Sequence, residues 1–352
     1  MQNTKYRESI NWDKLERTFL LACLLHDVGH SPFSHTGEAF YTKSTDFRRL
    51  ISEILPNETK LHEEIKRGTG KPHEAMSAIV GLRLLRKVGS EIELDEELFV
   101  RCIIGVTYSA VDKIIENTII QMLNGTLIDV DKLDYLIRDG YATGFNTMAL
   151  DVDRLFAAYT ITQYEDYSSN IKECAAYKRG ALSVIENVTF ANDLERHWIQ
   201  NHPVLLYDTK LIQMAIVYYN LHMGKKYGSL LGNDMNNVFT ETALSFEGYK
   251  AKGVPLCLLC DDDIICFLKQ QYDSNEVIVK KISNQYFDRA SRLKPVWKSE
   301  AEYMHLAKEL IGMNVRRSFC STLKAVKENV FFVNQEELRR IEEEKRYSQK
   351  LF

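Results

Sequence analysis

Three histidines and two carboxylates fall within the thirteen residues His26-Asp27-Val28-Gly29-His30-Ser31-Pro32-Phe33-Ser34-His35-Thr36-Gly37-Glu38. Imidazole nitrogen beside carboxylate oxygen suits a borderline or hard divalent cation better than a soft one. Where a helix ends, adjacent side chains diverge by only about 100°, so His26 and Asp27 can both reach one ion. His30 stands one turn further and His35 follows a proline-containing turn, and from there both can flank the ion without binding it. A lone His-Asp pair reads as a core histidine and a helix cap. That reading leaves His30, His35 and the two glycines without an account. The second group is Asp129-Val130-Asp131-Lys132-Leu133-Asp134-Tyr135-Leu136-Ile137-Arg138-Asp139. On a helix, Asp131, Asp134, Tyr135, Arg138 and Asp139 are spaced to form one polar face. Carboxylates with a lysine, an arginine and a tyrosine suit a metal, a phosphate and a sugar together.

Helices must position these groups. Trp12, Leu15, Phe19, Ala22, Cys23 and His26 recur at helical steps from about residue 11 until Gly29 and Pro32 stop the run, so His26 points where core residues point. The pattern predicts helices over 44–56, 73–88 and 95–122, the last broken near Tyr108 and capped by Gly125. Weaker alternation predicts short strands at Tyr159–Gln163 and Ala175–Lys178, a small hairpin, before helices near 180–200 and 206–224. Residues 233–253 read as surface loops, and Asp261–Asp263 open a helix over 264–271. Beyond it, strands at Val277–Ile282 and Val330–Val333 are expected among helices, with a charged, solvated helix at Glu336–Lys350. No internal repeat is visible.

The 352 residues are 45% hydrophobic and 27% charged with 17 Gly and 6 Pro, which excludes disordered, collagen-like and low-complexity classes. A net charge of −4 offers no global field for nucleic acid or an anionic membrane, and the basic stretches Lys280–Arg292 and Arg316–Lys327 read as solvated faces. Seven scattered cysteines fit a reducing cytoplasm, and Cys257 and Cys260 read as buried thiols rather than a metal pair. The apolar run Phe19–Leu25 meets His26 and Asp27 at once, so it reads neither as a signal peptide nor as a membrane span. His197, Trp198 and His202 read as packing residues of a long helix.

The two groups together resemble the HD-domain metal-dependent phosphohydrolases, and within them the deoxynucleoside triphosphate triphosphohydrolases, which include dGTPases and the SAM and HD domain dNTPase. The motif HDxGHxPFxH followed by GE is matched from His26 to His35 with Gly37 and Glu38, and DxDxxDYxxRD is matched from Asp129 to Asp139. The resemblance implies a mainly α fold with an HD-domain helical core over residues 1–160. A helical continuation with a hairpin would follow over 161–245, then a smaller mixed α+β region over 246–352. It makes His26, Asp27 and Asp131 ligands of a divalent metal ion, which could be Mn, Fe, Mg, Ni or Zn. His30, His35 and His73 become the histidines around the scissile phosphate, His73 opening a helix after Gly70 and Pro72. Lys132, Tyr135 and Asp139 would contact phosphate or sugar, while Arg138 would be structural. The implied reaction is attack of water on the α-phosphate of a dNTP, releasing deoxynucleoside and triphosphate. The implied assembly is a homo-oligomer, with no membrane partner and no indicated nucleic acid. The family's fourth ligand, a histidine on an upstream helix, has no counterpart among the 25 residues before His26. The expectation is therefore a start at an internal methionine, a three-ligand or borrowed-ligand site, or a lost ion. Two other functions stay open: an HD phosphohydrolase of a monophosphate or cyclic dinucleotide, and a catalytically silent nucleotide sensor.

Overall fold

The computed structural model describes residues 10–40, 44–67, 70–88, 92–126, 128–144, 149–165, 171–227 and 260–293. The described chain is helical apart from one two-stranded antiparallel sheet. It divides into two compact units, whose described parts are residues 10–205 and residues 206–227 with 260–293.

In the first unit, α1 (Trp12–Leu25) starts at Asn11, whose side chain accepts from the Lys14 amide at 3.0 Å. It packs on α4 (Pro72–Val88) and α5 (Glu96–Ile104), while α2 (Ser44–Ile54) packs on α4 and on α3 (Thr59–Glu64). Helix α5 is buried from Leu98 to Ile104, as expected of a helix apolar all round. Its one charged core residue, Arg101, is saturated: it pairs with Glu64 and Glu97, donates to the Val106 and Thr107 carbonyls at 3.2 and 3.1 Å, and lies 3.9 Å over the Tyr108 ring. The expected break near Tyr108 is real, and α6 (Ile114–Leu123) follows it. Helix α6 ends on Asn124 as its C-cap rather than on the expected Gly125, and Gly105, with φ +69°, is the left-handed cap of α5. Helix α7 (Val130–Thr143) buries Leu133 and Leu136 in a cluster with Leu155 of α8 (Val152–Ala158) and with Val184, Val188 and Ala191 of α9 (Leu182–Glu195). Between α8 and α9, β1 (Tyr159–Glu165) pairs with β2 (Ile171–Tyr177), Tyr159 opposite Tyr177, so the expected hairpin forms with longer strands. After α9 the helix widens into a π turn over Arg196–Gln200, and Trp198 is exposed there rather than packed.

In the second unit, α10 (Pro203–Tyr227) contributes Leu211, Ile212, Ala215 and Ile216 to a core shared with α11 (Asp261–Gln270) and α12 (Val277–Phe287). Val277–Ile282 is not a strand. Its buried residues Val279, Ile282 and Ser283 recur at steps of three and four, so helical packing overrides the β-branched preference. Arg292 pairs with Asp208 at 2.8 Å. Cys260 is exposed, contrary to the buried-thiol expectation. The expectations for residues 233–253, Cys257, Arg316–Lys327, Val330–Val333 and Glu336–Lys350 lie outside the described residues. Among the described residues no helix is long and apolar enough to cross a membrane.

Candidate active site

Helix α1 delivers His26 at its C-cap, with Nδ1 2.8 Å from the Cys23 carbonyl one turn back. A neutral ring that donates Nδ1–H to this carbonyl presents its lone pair at Nε2. That Nε2 lies 3.3 Å from Asp27 Oδ2 and 3.2 Å from Asp131 Oδ1. Asp131 comes from a sequence separation of 105 residues and is placed by the start of α7. There Asp129 acts as N-cap, accepting from the Lys132 amide at 2.7 Å, which fixes the first turn and turns Asp131 toward His26. One nitrogen and two carboxylate oxygens thus lie within 4.8 Å of one another. The hydrogen bond that Asp131 accepts is the main cause that pushes His26 up to about 9; burial opposes it, and the Cys23 carbonyl and the Asp27 charge add to it. Burial alone would raise Asp27, yet the His30 hydrogen bond and the charges of His26, His30 and His73 outweigh it and hold the carboxyl below its usual range.

The second cluster sits on the loop after α1 and on the first turn of α4. Gly29 is where loop meets helix: its amide donates to Ser77 Oγ at 2.9 Å, and a Cβ there would stand 2.2 Å from the Ser77 nitrogen. Only glycine allows that approach. Ser77 lies one turn after His73 on α4, so the same contact seats His30 against His73. Their rings stack with centroids 4.2 Å apart, and His35 stands edge-on to each at 5.1 Å. His30 spans Asp27 Oδ1 at 3.2 Å through Nε2 and Ser34 Oγ at 3.2 Å through Nδ1. Phe33 and Ser34 reach this arrangement with φ of 59° and 50°, the left-handed region that non-glycine residues seldom adopt. His73 is buried, at N2 of a helix that begins with Pro72 and whose Glu74 accepts from the Lys71 amide at 2.7 Å.

Glu38 joins the cluster across 35 residues. One oxygen receives His73 Nδ1 and the other lies 3.3 Å from His35 Nδ1. Burial opposes its ionisation, but the hydrogen bonds and charges of His35 and His73 hold it far below the usual carboxylate range, and in return Glu38 raises His35. The signal for Glu38 was present in the motif, yet nothing in sequence spacing shows that it clasps two rings. Ser77 and Asn192 were likewise invisible, because each acts through one tertiary hydrogen bond.

Along α7, Asp131, Tyr135 and Asp139 occupy successive turns of one stripe. Tyr135 donates to Asn192 Oδ1 of α9 at 2.8 Å. Lys132 Nζ lies 3.5 Å from Asp129. Arg138 turns to its own helix, 3.0 Å from Asp134 and 3.7 Å from Asp139.

Residues 5–120 match the family model of the HD domain, a segment that contains His26, Asp27 and the histidine cluster and ends before Asp131. The chain is 25% identical over 284 residues to the uncharacterized protein YwfO of Bacillus subtilis, covering 79% of this chain and 53% of YwfO. It is 29% identical over 150 residues to the uncharacterized protein MG461 of Mycoplasma genitalium, covering 40% of this chain and 28% of that protein. The chain therefore spans about half the length of the first of these relatives and less of the second. A phosphohydrolase of Bacteroides thetaiotaomicron of known structure shares the fold at 18% identity with a TM-score of 0.51, over 80% of this chain and 60% of that one.

Proposed function

We propose that this chain, with its HD domain, is a metal-dependent phosphohydrolase whose substrate is a deoxynucleoside triphosphate, cleaved to deoxynucleoside and inorganic triphosphate. The observation that carries the reading is the convergence of His26 Nε2, Asp27 Oδ2 and Asp131 Oδ1, brought together from two helices, directly beside three contacting imidazoles. The donor set fits a hard or borderline divalent ion, and His26, Asp27 and Asp131 would hold it. Such an ion supplies the charge that makes water nucleophilic near neutral pH and polarises a phosphoryl oxygen.

The protein's own groups do the rest. Asp27 uses its second oxygen to orient His30, which stands between the ion ligands and His73. Glu38 fixes Nδ1 of both His35 and His73, leaving Nε2 of each to exchange a proton. Of the two, His35 is the better general acid for the leaving 5′-oxygen: its ring is 67% exposed against 6% for His73, and Glu38 favours its charged form. Lys132 offsets phosphate charge at the start of α7, and Tyr135 and Asp139 continue the same stripe toward the nucleoside.

The test is product analysis with purified protein, a dNTP and Mn²⁺ or Fe²⁺. Release of inorganic triphosphate is expected. Orthophosphate release points to another phosphohydrolase reaction, and nucleotide-dependent thermal stabilisation without turnover points to a silent sensor.

A further inference from the structure

The second cluster has a property that proton transfer alone does not require. One ring nitrogen from each of His30, His35 and His73 lies within 4.8 Å of the other two. A tetrahedral ion with bonds of about 2.0–2.1 Å to nitrogen needs its donors about 3.3 Å apart. The three rings would therefore close by at most about 1.5 Å, a shift that rotation about their side-chain bonds supplies.

The groups behind the rings are those of a metal-bound imidazole. A ligating histidine almost always gives its other nitrogen to a carboxylate or carbonyl, which fixes the ring and makes the ligating nitrogen more basic. Glu38 receives Nδ1 of His73 on one oxygen and stands 3.3 Å from Nδ1 of His35 on the other, so Nε2 of each ring is left for an ion. His30 has one contact of 3.2 Å on each nitrogen, to Asp27 and to Ser34, and needs to give up only one of them. Entry is open, because the His35 side chain is 67% exposed, while His30 and His73 form the floor. Donor chemistry sets the two clusters apart. An all-imidazole set suits zinc, copper or nickel, whereas the carboxylate-rich set of His26, Asp27 and Asp131 suits a harder ion such as manganese or magnesium.

We propose that His30, His35 and His73 form a second metal site, for an exchangeable zinc ion, and that filling it stops turnover. The ion takes Nε2 of His35, the nitrogen that the reaction above uses to protonate the leaving oxygen. Closing on the ion costs the stack of His30 on His73 and one contact of His30. Zinc therefore comes and goes with its free concentration and is not carried through purification, unlike the ion proposed for the first cluster. The blocking role rests on the phosphohydrolase reading, and the site itself does not.

Cobalt(II) reports the site without turnover, because tetrahedral Co²⁺ absorbs visible light far more strongly than octahedral Co²⁺. Asp131→Ala, which lacks a ligand of the first cluster, is titrated with Co²⁺ and then with Zn²⁺. Strong visible bands should saturate at one Co²⁺ per chain and be bleached by Zn²⁺. Wild-type protein saturated with Mn²⁺ gives the same titration on the unaltered chain. His35→Asn, a change on the exposed ring, should lose the bands with helix content unchanged. Glu38→Gln should weaken Zn²⁺ binding by about 10- to 100-fold, the usual cost of losing a carboxylate that orients a ligating imidazole. Absent bands in both the wild type and Asp131→Ala, or bands that survive in His35→Asn, overturn the site. Blocking is read separately, from triphosphate release by the wild type with Mn²⁺ and a dNTP. Release should fall in step with zinc occupancy and recover when a chelator removes the zinc and Mn²⁺ is resupplied. Zinc that binds without slowing release, or inhibition that excess Mn²⁺ relieves, overturns the blocking role. A protein that shows the bands but releases no triphosphate even without zinc overturns the proposed reaction and leaves the zinc site standing.

Discussion

Two clusters of imidazole and carboxylate lie within one side chain's length of each other, and their proportions are opposite. The first has one histidine and two aspartates, and is assembled across 105 residues from the end of α1 and the start of α7. The second has three histidines and a single glutamate, and is closed within residues 30–73. Where carboxylates are in excess, positive charge is retained, as the elevated His26 shows. Where imidazoles are in excess, one carboxylate clasps two rings and sets which nitrogen of each is free. On the proposed reading the contrast separates holding an ion from moving a proton, although both clusters are built from imidazole and carboxylate alone.

The comparison breaks most decisively at the first cluster. Asp131→Ala or Asp27→Ala is expected to abolish retained metal by elemental analysis and to cut turnover by more than about 10³-fold, with helix content unchanged by circular dichroism. If the metal stays in either variant, the two clusters have been assigned the wrong way round. Next in size, His35→Asn should keep the ion and lower kcat by about 10²- to 10⁴-fold, as expected for loss of a general acid. A metal content that falls with the rate would merge the two roles.

Glu38→Gln sharpens the comparison through pH. The depressed carboxyl contributes stability that is complete above its unfolded value of 4.5 and declines as pH falls below it. The raised His35 contributes stability that is complete below 6.5 and is lost as pH rises through its folded value. The variant's deficit, about 1–3 kcal/mol for a buried charged hydrogen bond, should therefore be largest between pH 4.5 and 6.5 and shrink on either side. Denaturant titrations across pH measure it. The smallest effect is expected from Ser34→Ala. Alanine meets the same strained backbone as serine, so the change isolates the hydroxyl on His30, worth about 1 kcal/mol or roughly fivefold in kcat.

The helices carrying these clusters were legible because their signals are local. The apolar spacing of α1 has the helical period and Gly29 and Pro32 end it, Gly70 and Pro72 precede α4, and the polar residues of α7 recur on one helical face. The reading failed where a local preference competed with packing. Val277-Ile278-Val279 favours a strand in isolation, yet Val279 and Ile282 are buried on one side of a helix. Within the site, the two motifs point to the residues that converge around His26. They do not reveal that Glu38 clasps His73, that Ser77 seats Gly29, or that Asn192 accepts from Tyr135. Those relations depend on where α4 and α9 come to rest, which no spacing within one segment encodes.

The turn at Phe33 and Ser34 is wound against the natural hand of L-residues and is latched by Ser31 Oγ donating to the Ser34 carbonyl at 2.8 Å. A coil of this kind stores roughly 1–3 kcal/mol per residue and stays closed only while its neighbours insist. On gentle heating it should be the first part to spring open. Loss of the proposed activity would then run ahead of the loss of helical signal, and cooling before the helices melt would reverse it.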